Sequence, residues 1–454
     1  MKTALVSSKE IADHRFRFEG NHYLNHYAYL SLQIERRKDK CAKLENVATC
    51  FNPPVFKRQF CQDTENAVQY FQSSDVPSLE EKSKVFIYKG QAESLKLLVH
   101  KNDILVTGFG TIGNTRLVSR HQEGVCYANN VCRIQATGMS AGLIYAFMSS
   151  KYGAAQLNSN ASGSVVRYIE APGIKRTLIP LFSDIFQKEV DDLMQESARL
   201  REEAVDALEE AKGLIMDFCQ EEYATTRLKR FVSVKIKGVR STLNTRFDPT
   251  IYINKGVQWV KSIQKQSTRL GDLNVKMWYP GIFKRAYVEN GLPYLKGSSV
   301  FDVNPFKTCD HLSKARTPKL DDLWLKEGML LITCAGACGL VKMITKEYED
   351  KGAIGSPDII RLVSNDTLFT TEYIFAYLQL PPIYDYMQSL KYGSVIERFD
   401  IENIKTIPIV RPTEELSQAV TDIVKSYMAK TYRAFNCEEQ AISMVEREIE
   451  RWNK

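Results

Sequence analysis

No apolar run in this sequence is long enough to cross a bilayer. The longest uncharged apolar stretch, Met329 to Val341, falls short of the roughly 20 residues that a spanning helix needs. The opening MKTALVSSKEIADHRF has only Ala4-Leu5-Val6 where a signal peptide carries its apolar core. These absences predict a soluble, cytoplasmic protein with no membrane partner. Metal chemistry has equally little to stand on. The closest cysteine pairs, Cys126/Cys132 and Cys334/Cys338, lack C-x2-C spacing, and ten cysteines at irregular intervals make no small disulfide framework. Reduced, mostly buried thiols are expected. His22 and His26 stand one helical turn apart near His14, but no Cys or third ligand follows at a matching interval, so a surface or core role is the better reading.

A nucleotide-binding turn is also missing, although ILVTGFGTIG (Ile104 to Gly113) has the letters of one. The G-x-G-x-x-G fingerprint needs a helix directly after the turn, whose N-terminal N–H groups face the phosphates, and an acid about 20 positions on for the ribose. The NTRLVSRHQEGVCYANN that follows has no 3.6-residue apolar period, and Glu123 comes too early. No cofactor is expected in this chain.

What is present is a long, basic, globular sequence. Its 454 residues predict two or three domains of roughly 100–200 residues, and 44% hydrophobic with 25% charged residues is a globular balance. The net charge of +7 is uneven: Asp184 to Glu222 holds 13 acids against 4 bases, a balance of −9 that leaves +16 on the remainder. A basic body beside an acidic segment suggests a polyanionic partner, most simply nucleic acid.

The chain is also written twice. Arg17-Phe18-Glu19-x3-Tyr23 returns as Arg246-Phe247-Asp248-x3-Tyr252, Phe56-Lys57-Arg58 as Phe283-Lys284-Arg285, and Tyr70 as Tyr294. Further along, Arg133-Ile134 returns as Arg361-Leu362, Gly163-Ser164-Val165-Val166 as Gly393-Ser394-Val395-Ile396, and Ile179-Pro180 as Ile407-Pro408. All offsets lie between 224 and 231, so the series marks an internal repeat. ILVTGFGTIG has its own second copy, LLITCAGACG (Leu330 to Gly339), in which Cys334 replaces Gly108 while Gly110 and Gly113 persist as Gly336 and Gly339. A buried strand followed by G-x-x-G is the shared feature, and it suits a turn with φ > 0 between two strands.

A long helix pattern follows each copy. Phe186, Val190, Leu193, Ser197, Leu200, Ala204, Ala207, Ala211, Leu214 and Phe218 alternate by four and three, a heptad seam, with Ser183 and Asp184 as N-cap. The second helix starts near Pro412-Thr413 and carries Leu416, Val420, Ile423, Tyr427, Ala434, Cys437, Ala441 and Met444, with Lys430 falling on the seam. At about 35–40 residues each helix is roughly 55 Å long, and each is the other's natural partner. Strands such as Ile104–Thr107 and Leu330–Thr333 mix with helices such as Ala141–Lys151 and Glu372–Leu380 inside the globular parts. The expected fold is α/β: two similar units separated by an antiparallel coiled coil, with a pseudo-two-fold internal repeat. The corresponding boundaries are 1–182, 183–224, 225–411 and 412–454. Two similar units held a fixed distance apart make a ruler.

Taken in order, these elements resemble the specificity subunit of a Type I restriction-modification system. R-F-[DE]-x3-Y opens each unit, the strand plus G-x-x-G follows, G-S-V precedes a closing I-P, and a Gln (Gln187, Gln418) heads each long helix. The family usually has Gly-Asp before the G-x-x-G strand, where this chain has Asn102-Asp103 and Gly328-Met329. The resemblance implies that each globular unit is a target-recognition domain reading one half of a split site in double-stranded DNA. It further implies that the helices set the spacing and dock two copies of an N6-adenine methyltransferase subunit, that AdoMet belongs to that partner, and that restriction subunits join to make the nuclease. The chain itself would be non-catalytic.

Lys57, Arg58, Lys284 and Arg285 are candidate phosphate contacts. The segment from Arg227 to Arg246 adds Arg227, Lys229, Arg230, Lys235, Lys237 and Arg240, with seven bases and no acid overall. Two rivals deserve weighing. A single-chain adenine methyltransferase is suggested by Asn52-Pro53-Pro54-Val55-Phe56, which approaches an N-P-P-[YFW] loop, but Val55 stands where the ring is required and the second copy, Tyr279-Pro280-Gly281-Ile282-Phe283, loses the double proline. A coiled-coil scaffold would explain the helices but not the basic units.

Overall fold

The computed structural model describes residues 6–13, 26–79, 83–163, 167–221, 223, 231–240, 245–297, 299–393 and 397–452. The first Arg-Phe-Glu-x3-Tyr motif (Arg17 to Tyr23), His14, His22, Arg227, Lys229, Arg230 and the Ser-Val-Val and Ser-Val-Ile that follow Gly163 and Gly393 lie outside them, as do the side chains of His26 and Arg240. The chain divides into two compact units, Met1–Glu202 with Arg433–Lys454, and Glu203–Tyr432. Both boundaries fall inside the long helices, so each unit combines one α/β body with half of each helix.

The repeat in the sequence is a repeat of elements. In the first unit a four-stranded antiparallel sheet runs Ala48–Phe51, Val131–Ala136, Ile104–Thr107, Thr115–Leu117. The second unit repeats that order with Val275–Trp278, Ile359–Ser364, Leu330–Thr333 and Val341–Met343. The G-x-x-G segment joins the last two strands of each sheet. Gly110 and Gly113 sit at φ +75 and +86, and Gly336 and Gly339 at +71 and +86, a region that only glycine enters without strain. The side chain of Thr107 holds the turn by donating to Thr111 O and accepting from Asn114 N, and Thr333 does the same with Ala337 O and Leu340 N. In the first copy the position before the strand explains the departure from Gly-Asp. Asn102 and Gly328 have φ +68 and +79, and Asn is among the few residues other than glycine that tolerate this conformation.

A second sheet in each unit carries the recurring tyrosine. Ala67–Phe71 pairs with Phe86–Tyr88 and, in parallel, with Cys126–Tyr127, which sets Tyr70 opposite Cys126. In the second unit Tyr287–Leu295 pairs with Asp310–Leu312 and, in parallel, with Ile354–Gly355, which sets Tyr294 opposite Ile354. The recurring arginine is a fully buried staple. Arg133 donates to the carbonyls of Leu97, Tyr127, Ala128 and Val131, and Arg361 to those of Gly355, Ser356 and Ile359. Burial lowers both guanidinium pKa values to about 10, so both are charged at neutral pH. A small antiparallel pair closes each body, Cys41–Lys43 with Leu178–Pro180 and Ser267–Arg269 with Pro408–Val410. All ten cysteines are free thiols.

The expected helices near residues 141 and 372 are each two, Ala141–Ser149 then Lys151–Asn160, and Thr371–Leu378 then Pro381–Leu390. The first break has a cause: Ser150 is in extended conformation and caps the second helix by accepting from Gly153 N. The long helices span Asp184–Cys219 and Glu414–Arg451, 36 and 38 residues. Ser183 Oγ accepts from Phe186 N at 3.4 Å, and Thr413 Oγ1 from Leu416 N at 3.2 Å, so a hydroxyl caps each start.

The helices run antiparallel. In the first unit Ser197 Oγ donates to Ala434 O at 2.7 Å, and Val190 and Met194 share one core with Ala441, Val445 and Ile449. In the second, Ala211, Ile215 and Cys219 share a core with Val420, Val424 and Met428. Of the expected seam residues, Val190, Leu200 and Val420 are buried, while Phe186, Leu193, Phe218, Leu416, Ile423 and Tyr427 are half-buried against these cores. Leu214 is a correction: it is 36% exposed, and Ile215 occupies the core in its place. The two are 100° apart on the helix, and in the run Leu214-Ile215-Met216 composition does not say which of three apolar neighbours faces inward. The buried polar link of the first unit was not legible either: Tyr145 donates to Glu438 Oε1 at 2.9 Å, and Arg201 pairs with the other carboxylate oxygen.

Candidate nucleic-acid interface

The strongest candidate site is one loop, present twice. Pro53-Pro54-Val55-Phe56-Lys57-Arg58-Gln59-Phe60 aligns with Pro280-Gly281-Ile282-Phe283-Lys284-Arg285-Ala286-Tyr287, each following the edge strand of the four-stranded sheet, Ala48–Phe51 or Val275–Trp278. Both copies have the same burial at every position but one, Gln59 being exposed and Ala286 half-buried. The first proline is buried, and the phenylalanine is half-buried. The lysine and arginine are exposed. Phe56 packs on the cluster of Tyr70, Ile87 and Leu97, and Phe283 on that of Tyr294, Leu312 and Ile354. With the proline and the phenylalanine seated in the core, the cations between and beyond them are held at the surface.

The arginine is aimed as well as exposed. Arg58 Nε donates to Tyr70 Oη at 2.7 Å with the guanidinium 5.6 Å from the ring centroid. Arg285 and Tyr294 repeat both distances, 2.7 and 5.6 Å. Burial raises the Tyr70 hydroxyl above its ordinary range and the Arg58 charge opposes that rise, so the phenol stays neutral and accepts. In the second copy the bond to Tyr294 raises the Arg285 pKa. One edge of each planar guanidinium is thereby fixed against an aromatic ring, a geometry suited to presenting the remaining N–H groups to a phosphate. In the first unit Gln91 pins the loop backbone, donating to Lys57 O at 2.9 Å and accepting from Gln59 N at 3.2 Å.

The sequence isolates the cations and gives the apolar residues beside them no role of their own. Val55 and Ile282 are 89% and 94% exposed, and Phe60 and Tyr287 are 60% and 55% exposed. Extending the alignment of the two copies by two or three residues on each side is the signal that finds them. Asn52, which suggested a methyltransferase loop, has its amide committed elsewhere: Nδ2 donates to Asn129 O at 3.2 Å and Oδ1 accepts from Ala171 N at 2.8 Å. It fastens the loop to the body.

The other candidates are more scattered. Lys235 and Lys237 are exposed, with Lys237 in the short helix Ile236–Arg240. The Arg246-Phe247-Asp248 motif lines an open cleft of about 530 Å³ with Gln388, Lys391, Tyr392, Gly393 and Glu397. Arg246 pairs with Asp248 of its own segment at 2.7 Å and ties that segment to the other by donating to Ser389 O at 2.8 Å, so the opening motif and the glycine before the closing Ser-Val-Ile meet in space. Beyond the G-x-x-G turns the copies diverge: Phe109 stacks on Tyr168 in the first unit, where Ala335 and Arg398 occupy the matching bridge in the second. Among the described residues no helix is long and apolar enough to cross a membrane, and no group of three His, Cys, Asp or Glu side chains could hold a metal ion.

No protein-family model and no curated protein matches this chain. Among solved structures it is similar to a Type I restriction-modification system S subunit from M. genitalium, at 13% identity over 89% of this chain and 95% of that one, with a TM-score of 0.36. An HsdS subunit from Thermoanaerobacter tengcongensis matches at 15% identity over 90% and 95%, TM-score 0.27. A chain from a structural study of the assembly and conformational transition of a type I restriction-modification system matches at 14% over 90% and 97%, TM-score 0.27. The first two are structures of the family that its ordered motifs resemble, and both match along about nine-tenths of the chain.

Proposed function

We propose that this chain is the DNA-reading specificity subunit of a Type I restriction-modification complex. Each unit binds one half of a split site in double-stranded DNA. The paired helices set the distance between the units and dock two copies of an N6-adenine methyltransferase subunit, which carries AdoMet. Restriction subunits complete the nuclease, and this chain performs no catalysis itself. The observation that carries the reading is the duplicated loop, with the same pair of exposed cations, one aimed by a tyrosine hydroxyl, in each of two similar α/β bodies. A polymer with a regular negative charge on its backbone is a ligand that two such loops on one chain would share. Phosphate contacts position a protein without reading sequence, so the reading of bases falls to positions at the surface that differ between copies, such as the exposed Phe109 and Tyr168 against the half-buried Ala335 and exposed Arg398.

The commitment of Asn52 to the loop backbone speaks against a single-chain methyltransferase, because that amide would have to meet the target adenine. The test is binding and methyl transfer by the chain with and without a methyltransferase subunit. The chain binds duplex DNA with an affinity that falls steeply with salt, and labelled AdoMet is consumed only when the methyltransferase subunit is added. Methyl transfer by the chain alone establishes the enzyme reading instead, and salt-independent or absent DNA binding establishes a scaffold.

A further inference from the structure

The exposed aliphatic at the tip of each loop is unexplained by phosphate binding. Val55 and Ile282 are almost fully in solvent, although burying such a side chain is worth about 1.5–3 kcal/mol. A single exposed aliphatic needs no explanation. Two at the same place in two copies do, because the residues beside them have been free to change: Pro54 became Gly281, and Gln59 became Ala286. Neither loop is slack, since the buried Pro53 and Pro280 and the half-buried Phe56 and Phe283 anchor it on both sides. The aliphatic is therefore held out beside Lys57-Arg58 and Lys284-Arg285.

On a DNA surface an aliphatic group has few complementary features, because it neither donates nor accepts a hydrogen bond. In the major groove its match is the C5-methyl of thymine. Resting on the function proposed above, the two half-sites differ in sequence but must share two things. One is the phosphate backbone, which the duplicated cations suit. The other is an A·T pair, since each half-site must present an adenine for N6 methylation, and the N6 amino group and the thymine methyl lie on the same groove edge. We propose that Val55 and Ile282 each contact the thymine methyl of the A·T pair whose adenine is methylated, one in each half-site, and so make that pair a common requirement of two otherwise different recognition domains.

The experiment uses the full complex with the methyltransferase subunit and a duplex containing its methylated site. Deoxyuridine replaces the thymine opposite the target adenine in one half-site at a time, which removes the methyl and leaves the pairing intact. Each replacement is expected to weaken binding about fourfold, the equivalent of one buried methyl at ~0.8 kcal/mol. Val55→Ala should abolish that penalty in one half-site and keep it in the other, and Ile282→Ala should do the reverse, with melting temperature and complex assembly unchanged in both. The proposal is overturned if the penalty survives in both variants, or if the variants bind thymine and deoxyuridine duplexes equally weakly at both half-sites, which marks a non-specific apolar wedge. It is also overturned if the variants lose the methyltransferase subunit, which makes the aliphatics a protein-docking surface. Failure of the unmodified complex to bind any split site sinks the functional reading as well, and only that outcome does so.

Discussion

Replacing Lys57 and Arg58 together by alanine tests whether the loop touches phosphate. Each phosphate neutralised contributes a slope of about −0.9 to log affinity against log salt, so four loop cations account for a slope of about −3.6, or about a 150-fold loss between 50 and 200 mM salt. Removing two leaves about −1.8 from the other loop, and the variant should lose about 12-fold less affinity than the parent over the same range. Both positions are exposed, so unfolding is not the expected cause of any change. The assay is fluorescence anisotropy of a labelled duplex against salt, with the methyltransferase subunit present. Tyr70→Phe is the companion variant. It removes the hydroxyl that Arg58 Nε donates to and leaves the charge, so affinity should fall at every salt concentration with the slope unchanged. A Lys57→Ala/Arg58→Ala slope equal to the parent's would show that these cations lie away from the DNA.

Three further outcomes follow from the fold. Arg133→Met should cost on the order of 1–3 kcal/mol, because four buried carbonyls lose a charged donor while Leu97 O and Ala128 O keep backbone donors in Tyr127 N and Val131 N, and differential scanning calorimetry should show the first unit melting early. Gly336→Ala should cost about 1–2 kcal/mol for the left-handed backbone alone, while Gly339→Ala should cost more, since its added Cβ would lie 3.0 Å from Gln388 Nε2; equal melting temperatures for the two would contradict this. Burial pushes the Asp302 carboxyl up to about 7 against the pull of Lys342. A carboxyl neutral in the fold but ionised in the unfolded chain penalises folding from about pH 4 upward, fully above about pH 7. Asp302→Asn should thus match the parent at pH 4 and exceed it at pH 8 by on the order of 2–4 kcal/mol, which melting curves at the two pH values will show.

Much of the architecture was legible because the chain states it twice. The ordered matches from Phe56 to Ile179 align with Phe283 to Ile407, and the strands Ile104–Thr107 and Leu330–Thr333 with their glycine turns follow directly from the shared apolar run and G-x-x-G. What repetition cannot show is which way a repeated residue faces. Arg133 and Arg361 recur for the same formal reason as Arg58 and Arg285, yet the first pair is buried among carbonyls and the second lies at the surface. Neighbouring apolar residues pose the same difficulty in the helices, where Leu193-Met194 and Leu214-Ile215 can each supply the seam and packing against the body decides. At the site, the cations were readable from charge. The tyrosine hydroxyls that aim them were not, because strand pairing brings Tyr70 and Tyr294 to the loops.

The central claim, that two units read two half-sites at a spacing fixed by the helices, is tested most directly by lengthening the helices. One heptad of helix-forming residues inserted after Glu202, where the two units divide, and one after Met428 keeps the seam in phase and places the insertions opposite each other, counting along the antiparallel pair from the Ser197–Ala434 contact. Seven residues add about 10 Å, close to three base pairs at about 3.4 Å each. Mapping of methylated adenines by the native and extended complexes is expected to show the same two half-sites, with the gap widened by about three base pairs and methylation weakened because the second half-site also rotates by roughly 100°. An unchanged gap at full activity would contradict the account.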